Sequence, residues 1–223
     1  MNKAPSGEDF VPGDRSRVKR LHKRAHYDRA TVHRLIDEIG TGSVAYVIDG
    51  QPHVTPTLVW REHEKVYWHG SSASRMLRQV KTGIPVSVNV FHLDGLVLAR
   101  SGLHSSVNYR SVTLFGSAEI VEGVQEKEAS LKAFLEHFVP GRWDTLRPVQ
   151  SQELKATTIV GMTIEEASAK IRTGHCEDDE ADYALDIWAG IVPIRTVIGE
   201  PEDDPRLKPG VKRPDHLRTI RIG

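Results

Sequence analysis

What most limits the fold of this chain is a series of short apolar-alternating runs separated by glycine-bearing turns. Ser43 to Ile48 reads Ser-Val-Ala-Tyr-Val-Ile, follows Gly42 and stops at Asp49-Gly50. An Asp-Gly pair between two such runs is a strong hairpin signal, because a tight I′ turn needs positive φ at both central residues. His53 to Trp60 is then the returning strand and Lys65 to His69 a third. Ile84 to Phe91 is a fourth, with a second Asp-Gly turn at Asp94-Gly95 before Leu96 to Arg100. Tyr109 to Val121 is a long strand carrying Val112, Leu114, Phe115 and Ile120, and Thr157 to Arg172 and Ile187 to Ile198 read as late strands. Helices are few. Val32, Leu35, Ile36 and Ile39 fall at i, i+3, i+4 and i+7 ahead of Gly40, and Leu131, Phe134, Leu135 and Phe138 mark a second helix. Many short strands with few helices predict an α+β domain built on a β-barrel.

Composition removes several function classes. Lys+Arg and Asp+Glu are both 30, so the formal net charge is zero and binding of nucleic acid through bulk charge is not expected. No stretch reaches the roughly 18 apolar residues of a membrane helix, and Met1 to Phe10 lacks the apolar core of a secretory signal. A single cysteine, Cys176, cannot form an internal disulfide, and a cytoplasmic location is expected. Within this balance the charge is uneven. Arg15, Arg17, Lys19, Arg20, Lys23, Arg24, Arg29 and Arg34 crowd one segment, and residues 177–186 are acidic without a base. Two readings stay open: a solvated arm and loop, or runs that contact each other within a subunit or across a dimer. Pro201, Pro205, Pro209 and Pro214 predict an extended tail. The chain divides into a flexible basic arm over 1–20, a domain over 21–198 and the tail over 199–223.

The segment richest in chemistry is Trp68-His-Gly-Ser-Ser-Ala-Ser-Arg75-Met-Leu-Arg78. It leaves a strand, is hydroxyl-rich, and enters a helix whose apolar side is Met76, Leu77 and Val80. Ser71, Ser72 and Ser74 with Arg75, at a helix start with exposed N–H groups, make a cradle for phosphate. The serines also suffice as ordinary helix caps, and neither of the familiar glycine-rich nucleotide fingerprints is present. His22 with His26, and His175 beside Cys176, lack a third and fourth ligand at normal spacing, so no metal site is expected.

Taken in order, these motifs resemble a known family. His53-Val-Thr-Pro-Thr-Leu58 followed by Val66-Tyr-Trp-His-Gly-Ser-Ser-Ala-Ser-Arg-Met76 looks like the flavin-binding core of the pyridoxamine 5′-phosphate oxidase-like split barrels, in the branch of the nitroimidazole resistance proteins. Asp94 to Arg100, Val107 to Gly116 and Asp178 to Pro193 extend the match. The resemblance implies an FMN-binding split β-barrel, antiparallel with a few peripheral helices, working as a homodimer with the flavin at the subunit interface. Val54, Thr55, Pro56, Thr57 and Leu58 would line the isoalloxazine through backbone groups, and His69, Gly70 and Ser71 would continue that contact. Ser74 and Arg75 would meet the phosphate, with Tyr109, Arg110 and Ser111 closing the site. Met76 stands where members of the family often carry lysine, so either Arg78 or Arg110 substitutes as the second phosphate cation, or the phosphate is held less tightly. Trp188 either stacks near the flavin or fills core beneath Pro193. His69 is the implied catalytic residue, beside the flavin ring. The implied function is an FMN-dependent oxidoreductase of a small molecule, with a nitro compound as one candidate. The alternatives are a flavin carrier or sensor without turnover, or a binder of deazaflavin or haem in place of FMN.

One substitution tests the cradle. Arg75→Ala is expected to weaken FMN binding by about 1.5–3 kcal/mol, the worth of one charge-assisted contact. Equal FMN affinity in the folded variant, measured by fluorescence titration, would remove Arg75 from the site.

Overall fold

The computed structural model describes residues 9–72, 74, 77, 80, 83–220 and 222. In chain order the elements are β1 (Ala25–His26), α1 (Arg29–Ile39), β2 (Thr41–Ile48), β3 (Gln51–Leu58), β4 (Trp60–Glu62), β5 (Lys65–Ser71), β6 (Ile84–Leu98), β7 (Ser106–Ile120), α2 (Val124–Phe138), α3 (Ser151–Ala156), β8 (Thr157–Thr163), β9 (Glu166–Arg172) and β10 (Gly190–Pro193). Every strand pairing is antiparallel. The main path runs β3-β2-β6-β7-β8-β5-β4.

Two 15-residue strands, β6 and β7, hold this sheet together. They pair with each other along almost their whole length, and each changes partner partway. Ser87 to Val90 of β6 pair with β2, while Gly95 to Leu98 pair with β10. Tyr109 to Phe115 of β7 pair with β9, while Ala118 to Ile120 pair with β8. One ladder therefore serves both halves of the barrel. Inward positions alternate as a half-buried sheet requires. Val86, Val88 and Val90 on β6 and Val112, Leu114 and Ala118 on β7 are almost fully buried, and they pack against Val44, Val66, Trp68, Val160 and Met162.

Asp94-Gly95 departs from the expectation. It is a bulge inside β6, not a turn between strands. Leu93 opposes Tyr109 and Gly95 opposes Asn108, which leaves Asp94 without a partner on β7. The bulge shifts the inward set from even to odd positions, so Val97 is buried after it. Glycine is required there because a Cβ would stand 2.9 Å from the Val192 carbonyl oxygen of β10. By contrast Asp49 (φ 50°) and Gly50 (φ 74°) do form the tight hairpin turn between β2 and β3. The stretch from Thr157 to Arg172 is two strands, and of the residues from Ile187 to Ile198 only Gly190 to Pro193 are in a strand.

The first helix matches its sequence signal. The Asp28 side chain accepts from the Thr31 N–H at 2.8 Å, and Gly40 closes the helix with φ 63°. Val32, Leu35, Ile36 and Ile39 are fully buried on the barrel. The arm is anchored over its described part, since Phe10 enters the main core and Arg29 lies 4.1 Å over its ring. Helix α2 starts seven residues before the expected apolar repeat and builds a second small core from Phe134 and Phe138 against Trp60, Tyr67 and Ile159. The tail is mostly exposed, yet it returns to the same region. Thr219 Oγ1 donates to the Pro140 carbonyl at 3.3 Å, and Ile222 packs on this second core. Among the described residues no helix is long and apolar enough to cross a membrane.

Gly40 joins α1 to the second core. A Cβ there would fall 2.4 Å from Phe138 Cε1, on a residue with positive φ. Gly40→Ala is expected to lower stability by about 2–3 kcal/mol, from left-handed strain and overpacking together. A denaturant midpoint equal to wild type would show that the contact relaxes without cost.

Candidate functional site

Strand β5 carries the serine-rich segment to the barrel rim. Val66 and Trp68 point into the main core, so strand alternation turns Tyr67 and His69 to the opposite face, toward α2. There the His69 ring lies 4.8 Å from Phe134 and 5.9 Å from Trp60. Its Nδ1 is buried and, among the described residues, has no hydrogen-bond partner. Burial pushes the imidazole pKa down, so the ring stays neutral. The expected flavin-edge residue thus sits in an aromatic cluster.

Past β5, the Ser72 N–H donates to the Ala156 carbonyl (3.2 Å) and the Ser74 N–H to the Ser71 carbonyl (2.9 Å). Gly70 is close-packed, since a Cβ would lie 3.1 Å from Leu77 Cδ1. Leu77 and Val80 plug the main core at 4% and 1% exposure, which fixes where this segment crosses the rim. Arg75, Met76 and Arg78 lie outside the described residues. A cavity of about 1050 Å³ opens at the segment, with Ser72, Leu77, Val80, Lys127 and Thr158 in its wall. Lys127 Nζ donates to the carbonyls of Leu154 (3.4 Å) and Thr157 (3.3 Å), which stations an ammonium group at this cavity. No sequence motif marks Lys127. It arrives through the packing of α2 across the ends of β7 and β8.

The other expected residues fall into two groups. Val54, Thr55, Pro56, Thr57 and Leu58 lie on β3, whose single strand partner among the described residues is β2. The outer edge of β3 therefore offers backbone N–H and C=O groups, and Val54 is 66% exposed. Strand β3 passes beside β5, so these residues, His69, Gly70 and the serines share one side of the barrel. Tyr109, Arg110 and Ser111 lie at the far end of β7. Nine residues of strand separate Ser111 from Ile120 at the cavity, about 30 Å of chain at 3.3 Å per residue.

Arg110 is fully engaged there. Its guanidinium donates to Asp94 (2.9 and 3.1 Å) and to Glu38 (3.1 Å). Burial works to raise the Asp94 pKa, but hydrogen bonds from Arg110 and His92 outweigh it and hold the carboxyl below its ordinary value. His92 Nε2 meets Thr196 Oγ1 at 2.9 Å, which ties the segment after β10 to the same cluster. Tyr109 packs near Phe91, and the Ser111 hydroxyl donates to the Lys170 carbonyl. Trp188 is 67% exposed and does not fill core beneath Pro193.

The two charged runs are paired elsewhere rather than with each other among the described residues. Arg15 binds Glu165 and Glu166, Arg34 binds Glu38, and Asp178 binds Arg100. His104, Asp179 and Asp182 bring one ligand atom each within 4.8 Å of one another, at a partly exposed surface.

The family model described as pyridoxamine 5′-phosphate oxidase matches residues 28–171. The flavocytochrome Anf3 from Azotobacter vinelandii is 43% identical, with 96% of this chain and 100% of that chain covered and a TM-score of 0.91. The FAD and heme binding protein from Mycobacterium smegmatis is 36% identical over 89% of this chain and 97% of that one, with a TM-score of 0.84. A candidate 5-nitroimidazole antibiotic resistance protein from Bacteroides thetaiotaomicron shares the fold, at 16% identity and a TM-score of 0.56 over 66% of this chain and 86% of that one. No protein of curated function matches the chain.

His69 makes acid stability a readout of this site. Burial lowers the pKa of His69, His137 and His33, with nearby Arg61 adding to the effect at His33. The unfolded chain takes up these protons near pH 6.5 and the folded chain does not, so stability is full above that pH and falls as pH drops below it. His69→Phe keeps an aromatic ring against Phe134 but cannot titrate. Its loss of melting temperature between pH 7 and pH 5 is expected to be smaller than that of wild type. Parallel curves would place the acid sensitivity elsewhere.

Proposed function

Since the chain belongs to the pyridoxamine 5′-phosphate oxidase family, we propose that it is a flavin-binding oxidoreductase of a small molecule and that it also carries a haem. The observation behind this reading is near full-length likeness to a flavocytochrome and to an FAD and heme binding protein. On this reading the flavin is FAD, in preference to the FMN implied by the sequence resemblance, because FAD is the form named for the second relative.

The residues present suit both groups. For the flavin, the exposed edge of β3 supplies backbone donors and acceptors, and the cavity at Ser72 combines hydroxyls with the apolar wall of Leu77, Val80 and Ile120. Lys127 takes the role of phosphate cation that Met76 leaves vacant, exchanging two carbonyl contacts for an anion. For the haem, His69 Nδ1 and the Nε2 atoms of His137 and His216 are buried imidazole nitrogens without hydrogen-bond partners among the described residues. A neutral imidazole with a free nitrogen is the donor that haem iron takes. When bound, the flavin exchanges hydride or electron pairs and the haem single electrons, while the protein orients them and limits water.

The homodimer of the sequence reading remains part of the proposal. The cytoplasmic location rests on the lone Cys176. A flavin carrier without turnover is the competing reading, separated by whether the reduced protein is reoxidised by a substrate.

The absorption spectrum of the purified protein tests the proposal. Flavin bands together with a Soret band are expected, and chromatography of the released flavin should return FAD. A Soret band lost in one of His69→Ala, His137→Ala or His216→Ala, with flavin retained, identifies the iron ligand. A protein that takes up neither chromophore when both are supplied would overturn the reading.

A further inference from the structure

At the end of the barrel remote from the serine segment, a pocket of about 430 Å³ is lined by Lys23, Arg24, His26, Arg172 and His175, with Glu177 as its one carboxylate among the described residues. Its base is Arg172, at 8% exposure. The Arg172 guanidinium donates to Asn108 Oδ1 at 2.6 Å and to the His175 carbonyl at 3.3 Å. Asn108 in turn donates to the Gly174 carbonyl at 3.1 Å, so the loop after β9 is folded around the arginine. Both acceptors of Arg172 are neutral. Among the described residues no ion pair is made by Arg172, Lys23 or Arg24.

A buried guanidinium without a counter-ion is unfavourable, and proteins normally pair it or use it. Here two more permanent cations stand at the same opening. Lys23 is exposed and Arg24 half-buried on the single helical turn His22–Arg24. Three fixed positive charges face one carboxylate, which leaves two charges uncompensated. Thr173 adds a hydroxyl, and nothing lies within 4 Å of where a Gly174 Cβ would be, so that backbone is open to a ligand. A forked guanidinium, an ammonium group and a second guanidinium around a concave site suit a doubly charged phosphate. The volume is within the range of small-molecule pockets, roughly 300–1000 Å³, and exceeds the need of a bare ion.

We infer that this pocket is a second, separate ligand site, which binds the phosphate group of a nucleotide-sized molecule through Arg172, Lys23 and Arg24. It is not the flavin cavity of the same chain. Tyr109 pairs with Arg172 at this end of β7 while Glu119 lines that cavity, ten residues or about 33 Å further along the strand.

Calorimetry with AMP and with inorganic phosphate tests the site on the full-length protein. AMP is expected to bind, to bind more tightly than phosphate, and to weaken as salt is raised. Lys23→Ala/Arg24→Ala should weaken AMP at least tenfold with an unchanged melting temperature, since both residues lie at the opening. Arg172→Gln, which keeps a donor for Asn108, should abolish binding. Three results would overturn the inference. One is no AMP binding by wild type, or binding no tighter than that of phosphate. Another is unchanged AMP affinity in the rim double variant. The last is loss of bound flavin or haem from that double variant, which would make the pocket part of the cofactor site while leaving the flavin reading intact. Self-association of the protein that disappears in the double variant, without AMP binding, counts as the first result and assigns the pocket to the acidic 177–186 loop of a second copy.

Discussion

The pairing of β6 with β7 is the constraint on which the rest depends. Each strand is about twice as long as its neighbours, and each divides its free edge between two partners. That splits the barrel into two ends. The end of β5 and the serine segment lie toward one end, while β3 spans both, its Thr57 level with Val90 of β6 and Val112 of β7. The Arg110 cluster and the Arg172 pocket lie toward the other. The bulge at Asp94 makes this division possible, because it swaps the inward face partway along β6 and frees the Asp94 side chain for Arg110 and His92. Without Gly95 the backbone of β10 could not approach, and that strand would lose its seat on β6.

The sequence was most legible where local chemistry and tertiary packing agree. Helix α1 has a cap at Asp28, an apolar stripe and a terminating glycine, and all three appear in the structure. The two Asp-Gly pairs show where local reading ends. Both have turn chemistry. At Asp49-Gly50 the chain turns, since positive φ at both residues fits the hairpin. At Asp94-Gly95 the same dipeptide serves a strand that a long-range partner holds straight. Local propensity cannot distinguish these, because the deciding contact comes from Val192, almost a hundred residues later. Helix α2 escaped in part for a related reason: its first half is polar, with the apolar stripe confined to its last turns.

The candidate site divides in the same way. Motif order pointed to β3, β5 and the serine segment, and these do lie on one side of the barrel. Side-chain commitments were not readable. Arg110 looks like a spare cation in sequence, yet two carboxylates from α1 and the β6 bulge hold it. The resemblance places His69 beside the flavin ring, and strand alternation turns it into an aromatic cluster where burial pushes its pKa down. Lys127 and Arg172 carry no motif at all. Each gains its place from a contact with a distant segment: α2 laid over the end of β8, and β9 laid against the start of β7.

These commitments bear on how such a protein can handle anions. A guanidinium already bridging two carboxylates gains little from a phosphate, because the new contact must replace two existing charge-assisted bonds. Lys127 and Arg172 differ from Arg110 in that their partners are neutral oxygens. At Arg172 an arriving anion adds Coulombic attraction without displacing a competing charge and relieves a desolvated cation, whereas at Lys127 it shares the cavity with Glu119 and Glu122. The cations able to take a phosphate are therefore those the barrel leaves facing carbonyl and amide oxygens, and they stand at opposite ends of β7. That separation is what would let one small barrel hold the proposed flavin and the proposed phosphate ligand independently.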